Sequence, residues 1–164
     1  MRFRENQTDQ VDDLSAAILW IHVLSGAIWI GACVCLAIAV SAIRAGSDEF
    51  RDFAARGVPT LNRINLVAAV ALAIAGMTKL LTLIASGFRP SAMFIDVLFI
   101  KIGLFFAMAM ALGASMRAAA AMLEVTADDG PKSARAARKV AILSGLIAAM
   151  GGAAMLLGLW LVGS

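Results

Sequence analysis

Hydrophobic residues in this chain fall into four long runs, approximately Leu14 to Ile43, Ile64 to Ala85, Met93 to Met116 and Val140 to Val162, and most polar residues lie between them. Each run reaches the length of about 20 helical residues that crosses a hydrocarbon layer of about 30 Å. None alternates polar with apolar positions, as a barrel strand would. A lipid-facing segment must satisfy its own backbone hydrogen bonds, so the pattern predicts transmembrane helices at about 14–43, 64–85, 93–116 and 140–162. The expected fold is an all-α, polytopic four-helix bundle forming one membrane domain over 1–164. The first run is about twice the 7 to 15 residues of a signal-peptide core, follows acidic residues and precedes no small-residue cleavage site, so it is expected to stay in the mature protein.

The polar segments refine this outline. Gly46 to Pro59, GSDEFRDFAARGVP, opens on the caps Ser47 and Asp48, sets Phe50 and Phe53 among charges and ends on Gly57 and Pro59. That predicts a short interfacial helix at about 48–56. Ala127 to Lys139, ADDGPKSARAARK, carries a Gly130-Pro131 turn signal and then a basic half that extends the fourth helix into the lipid headgroups.

Composition supports the membrane reading: 62% of residues are hydrophobic, 15% are charged and the mean hydropathy is +0.89. Charge then sets orientation. Arg44, Arg51, Arg56 and Arg63 lie between the first two spans, and Arg117, Lys132, Arg135, Arg138 and Lys139 between the last two. The other side has Arg2, Arg4 and Arg89, with Glu5, Asp9, Asp12 and Asp13 offsetting the first two. The positive-inside rule therefore predicts a multi-pass protein with both termini outside and the loops 44–63 and 117–139 cytoplasmic. The net charge of +3 is a topology signal and implies no nucleic-acid partner. Cys33 and Cys35, two residues apart on one helix, point to nearly opposite faces and are not placed to form a disulfide with each other.

Candidate chemistry resides in the ionisable residues inside the apolar runs, because a charge at the bilayer centre costs at least about 2.5–3.5 kcal/mol. These are His22, Lys79, Asp96 and Lys101. Counted from the predicted helix ends, His22, Lys79 and Lys101 lie at a common depth of roughly 9 to 12 Å below the outer boundary, with Asp96 above them. Short connections are expected to make the first three spans neighbours, and so to gather an imidazole and two ammonium groups in an outer-side pocket. The alternative for each lysine is to snorkel to the interface. Ser25, Gly26 and Trp29 share the helical face of His22, so the imidazole is expected to look over a notch at Gly26 with an indole below it. Two readings stand for His22: a hydrogen bond to a neighbouring helix, or a ligand to metal or haem iron or a proton-transfer group.

Soft sulfur selects Cu(I), and the chain has nine methionines and two cysteines. Cys33, however, lies about 16 Å deeper than His22, and Met108 about 10 Å deeper than Lys101. Small residues recur every fourth position at Gly103, Ala107 and Ala111, and at Ala141, Gly145, Ala149 and Ala153, which fits close helix approach within the bundle or against another subunit. No nucleophile, acid pair or phosphate loop argues for a hydrolase or transferase.

The segments IHVLSGAIWIGA, RDFAARGVPTLNRI and DVLFIKIGLFFAMAMALGASMRA together resemble the membrane domain of the copper-resistance D family. The family's first-helix His, Trp and Gly correspond to His22, Trp29 and Gly31, and its Lys-x-x-Leu with a following basic residue to Lys101, Leu104 and Arg117. The wider superfamily is similar to the bacterial membrane protoporphyrinogen oxidases. The first kinship implies copper handling at the inner membrane, with His22 as metal ligand. The second implies a haem b or porphyrin pocket, and electron exchange with a quinone in a haem-dependent membrane oxidoreductase. The chain lacks the extra histidines and methionine clusters expected for copper and the second histidine of a bis-imidazole haem. Lysines beside His22 would repel Cu(I) and attract haem propionates. The leading expectation is therefore haem b held by His22, Lys101, Lys79, Trp29 and Gly26. Copper is the second expectation. The third is a non-catalytic accessory subunit docked by its small-residue stripes in a larger respiratory or photosynthetic complex, with His22 purely structural. The expected partners are the lipid bilayer and either such a complex or further copies of the chain in a homo-oligomer.

Overall fold

A computed structural model describes the backbone of residues 2–43, 47–124 and 130–163, and side chains over 16–43, 47–122, 131–158 and at 160. Arg44, residues 125–129 of the second basic segment and the side chains of the N-terminal tail lie outside the described residues. The helices are α1 (Arg2–Ala42), α2 (Asp48–Asp52), α3 (Val58–Ala85), α4 (Ala92–Glu124) and α5 (Gly130–Gly163), with a π-helical turn at Phe53–Gly57. Four of them, α1, α3, α4 and α5, are long and apolar enough to cross a membrane. Their outer faces carry Ile38, Val67, Phe99 and Met110, each more than 60% exposed. Such a girdle is untenable in water and is the ordinary surface of a bundle in lipid. The protein is an all-α, multi-pass membrane protein.

The helices extend past the apolar runs. α3 begins at Val58, α4 continues to Glu124 and α5 starts at Gly130. Hydropathy marks where lipid begins, whereas Arg, Ala and Lys remain good helix formers in the headgroup zone. Gly57 and Pro59 do not end the interfacial segment. Ser47 caps α2 by accepting the Phe50 N–H at 3.1 Å, and the chain passes through the π turn straight into α3, with Pro59 in the first turn after it. Gly130 and Pro131 likewise start α5 instead of making a turn. The connection between α3 and α4 is a true turn. Gly87 adopts φ +74°, and the N–H groups of Gly87 and Phe88 close the end of α3 on Ile84 and Leu83 at 3.1 and 3.3 Å.

The order of the helices departs from the expectation that the first three spans are mutual neighbours. α1 packs along α3 on one side and α5 on the other, α5 packs along α4, and α3 and α4 barely meet. A short link constrains only helix ends, and here the two helices splay. Trp29 bridges the diagonal, its ring edge-on to Phe105 of α4 with centroids 5.8 Å apart.

Two apolar clusters close the interior. One lies at the basic end and includes Leu36, Phe50, Val58, Met122 and Val140. The other, at mid-depth, includes Trp29, Cys33, Ala69, Met108, Leu112 and Ile147. Toward the opposite end, which holds the Gly87 turn, burial thins to Ser25, Ala75 and Val97 among the described side chains. Of the small-residue positions, Gly103, Gly145, Ala149 and Ala153 face outward, and the close approach inside the bundle occurs at Gly151. A Cβ there would stand 2.7 Å from Cγ1 of Ile30 and 3.2 Å from Cε of Met108. Gly151→Ala is therefore expected to cost about 1–3 kcal/mol by overpacking, a drop of several degrees in a thermal melt in detergent. Gly145→Ala, where nothing lies within 4 Å, is expected to melt like the parent.

Candidate intramembrane site

The contacts of four glycine and asparagine positions fix the depth of the intramembrane histidine and lysine. On α1 and α3, His22 lies against Gly76 and Cys33 against Asn65, so moving eleven residues along one helix matches eleven back along the other. On α4 and α5, Lys101 lies against Gly158 and Met108 against Gly151, a matched step of seven. Ile30 also meets Gly151, which places His22 eight residues and Lys101 seven residues from one shared level. At about 1.5 Å per residue, the two side chains start at nearly the same depth. The Lys101 ammonium is within electrostatic reach of the imidazole.

The imidazole is seated by a glycine that its own helix does not contain. A Cβ on Gly76 would stand 3.2 Å from Cε1 and 3.4 Å from Nδ1 of His22, so the bare backbone of α3 is what lets this ring edge in. The Leu72 carbonyl, one turn earlier on α3, faces the ring. Nδ1 is buried and none of its contacts reaches hydrogen-bond geometry. At Gly26, expected to form the notch, an added Cβ would meet the Leu72 side chain at an ordinary 3.8 Å and not the imidazole.

Lys101 is half-buried and folds against α5. Its Nζ would be 2.7 Å from a Cβ on Gly158, so the ammonium is tucked against a bare turn of α5. Lys79 is half-buried three residues beyond Gly76, about one turn nearer the Gly87 end. Asp96 is exposed in the first turns of α4. Trp29 is fully buried in the mid-depth cluster, well below the imidazole, with its Nε1 unpartnered.

No protein-family model, no curated protein and no solved structure matches this chain.

The structure also exposes a polar layer that attention to ionisable residues overlooked. Cys33 donates its thiol to Oδ1 of Asn65 at 3.5 Å, and both residues are fully buried. Nδ2 of Asn65, Oδ1 of Asn62 and Oγ of Ser115 are buried without a partner. The signal for it was the pair Asn62 and Asn65, three apart and hence on one helical face, inside LNRINLV. Among the described residues, no three of His, Cys, Asp and Glu gather closely enough to hold a metal ion.

Proposed function

We propose that this protein is a bacterial inner-membrane cofactor carrier whose paired His22 and Lys101 hold haem b, with both termini outside. The observation that supports it most is the seating of these two side chains at one depth, each against a bare glycine, in the part of the bundle where the core is thinnest. The donor set fits the group. The buried Nδ1 of His22 lies against the α3 backbone at Gly76, which leaves Nε2 as the nitrogen that would bind the iron. Lys101 supplies a cation for a propionate carboxylate. The poorly closed seam between α3 and α4 gives a membrane-soluble ring a lateral way in. Bound haem would supply a one-electron redox couple, and the surrounding apolar helices would keep water from it.

The resemblance of the first helix, the loop after it and the third span to the copper-resistance D family keeps copper as the competing cargo. The donors argue for the carboxylate-bearing ligand, since the Cys33 thiol is turned toward Asn65 and an ammonium shares the depth of the only imidazole.

Titration of the detergent-purified protein with haemin is expected to give a Soret band saturating near one equivalent. Lys101→Gln is expected to weaken haemin binding about fivefold, which corresponds to about 1 kcal/mol for the lost ion pair. Haem dimethyl ester, which has no free propionates, is expected to bind the parent and the variant alike. A chain that binds no haemin saturably, and instead takes up copper at one equivalent, refutes the proposal.

A further inference from the structure

At the basic end of the same seam, the splay of α3 from α4 leaves a groove of about 230 Å³. Val58, Asn62, Arg63 and Leu66 of α3 line one wall, and Met116 and Ala120 of α4 the other. Pockets for drug-sized ligands run from about 300 to 1,000 Å³, so this one takes a chain or a headgroup and no macrocycle.

Two groups give the groove a chemical preference. Asn62 is only 5% exposed, yet its Oδ1 accepts no hydrogen bond, a buried acceptor that favours an incoming donor. Arg63 is exposed and has no carboxylate partner among the described residues, whereas Arg51 and Arg56 are paired with Asp48 and Asp52. The remaining lining is almost wholly apolar and opens toward lipid between two spans.

We infer that this groove is a binding site for one anionic phospholipid with a hydroxyl-bearing headgroup, of which phosphatidylglycerol is the simplest. The phosphodiester pairs with Arg63, a headgroup hydroxyl donates to Oδ1 of Asn62, and an acyl chain lies along Leu66 and Met116 where the helices fail to meet. Lipid thereby fills the gap in the helix ring, and α3 and α4 are held together through it.

Native mass spectrometry of the full chain, released from detergent with added dioleoylphosphatidylglycerol or dioleoylphosphatidylcholine, tests the site. One phosphatidylglycerol is expected to be retained in preference to phosphatidylcholine. Arg63→Gln is expected to weaken retention about fivefold, the worth of one basic residue at a lipid surface. Ala120→Leu, which fills the groove from its exposed wall, is expected to remove the bound lipid while leaving the circular dichroism spectrum unchanged. Phosphatidylmethanol keeps the phosphodiester and lacks the hydroxyl, so the parent should prefer phosphatidylglycerol over it and Asn62→Leu should not. Equal retention of the anionic and zwitterionic lipids overturns the inference, as does a lipid that survives Ala120→Leu. Displacement of the lipid by inorganic phosphate alone marks a simple anion site, and a dimer lost in Ala120→Leu marks a protein interface; either overturns it too.

Discussion

His22→Ala is expected to abolish the saturable Soret band of the haemin-titrated protein, the largest functional effect anticipated for any single change. The chain has one histidine, so no second imidazole can replace it as an axial ligand. The structural cost of the change is small by comparison. The ring is partly exposed and carries an unpartnered buried nitrogen, so its removal offsets lost contact with Gly76 by deleting a polar group that makes no hydrogen bond. The melting temperature should move by no more than about 4 °C for each kcal/mol lost. Adding free imidazole to His22→Gly is expected to restore part of the band, because the vacated space against Gly76 is shaped for that ring. A Soret band of undiminished amplitude in His22→Ala would assign haem binding elsewhere.

Trp29→Ala is expected to be the most destabilising single substitution, at about 3–5 kcal/mol. The indole is completely buried, meets Phe105 edge-on and belongs to a cluster drawn from all four spans. Truncation would open a cavity at the point where the diagonal of the bundle is bridged. Trp29→Phe separates packing from polarity. It keeps an aromatic ring against Phe105 and removes an Nε1 donor that has no partner, so its cost should stay below about 1.5 kcal/mol. Thermal or chemical denaturation in detergent, followed by circular dichroism, checks both. Equal losses in the two variants would mean that the indole N–H is satisfied and structurally important.

The existence and number of the spans were legible in the sequence, because bilayer thickness imposes a length that short soluble helices do not reach. The ends at 42–43, 85, 92–93 and 162–163 were legible to within a residue, but the starts of α3 and α5 and the end of α4 were not, since Arg, Ala and Lys carry a helix on past its apolar run and Pro59 and Pro131 can stand in a first turn. The common depth of His22 and Lys101 could be counted along the chain. Their seating could not. A sequence shows what lies on the same face of one helix, hence Gly26 and Trp29 beside His22, but the glycines that receive the two side chains are Gly76 and Gly158 on partner helices. The splay of α3 from α4 was equally hidden, because the loop of 86–91 ties the helix ends and says nothing about the faces below. The asparagines of α3 were visible as letters and passed over because a neutral amide carries no charge to account for.

The arrangement of neighbours also dictates the order in which this protein can be assembled during synthesis. α1 and α3 can form a hairpin as soon as α3 has emerged, but α4 must wait, since its extensive partner is α5, the last helix made. Until then the Lys101 ammonium has no glycine turn to rest against. The bundle is thus two hairpins, α1 with α3 and α4 with α5, joined through the contact of α1 with α5. The imidazole belongs to the first hairpin and the ammonium to the second, so the pair comes into existence only when the two hairpins dock, and a ligand that needs both would report that biogenesis is complete.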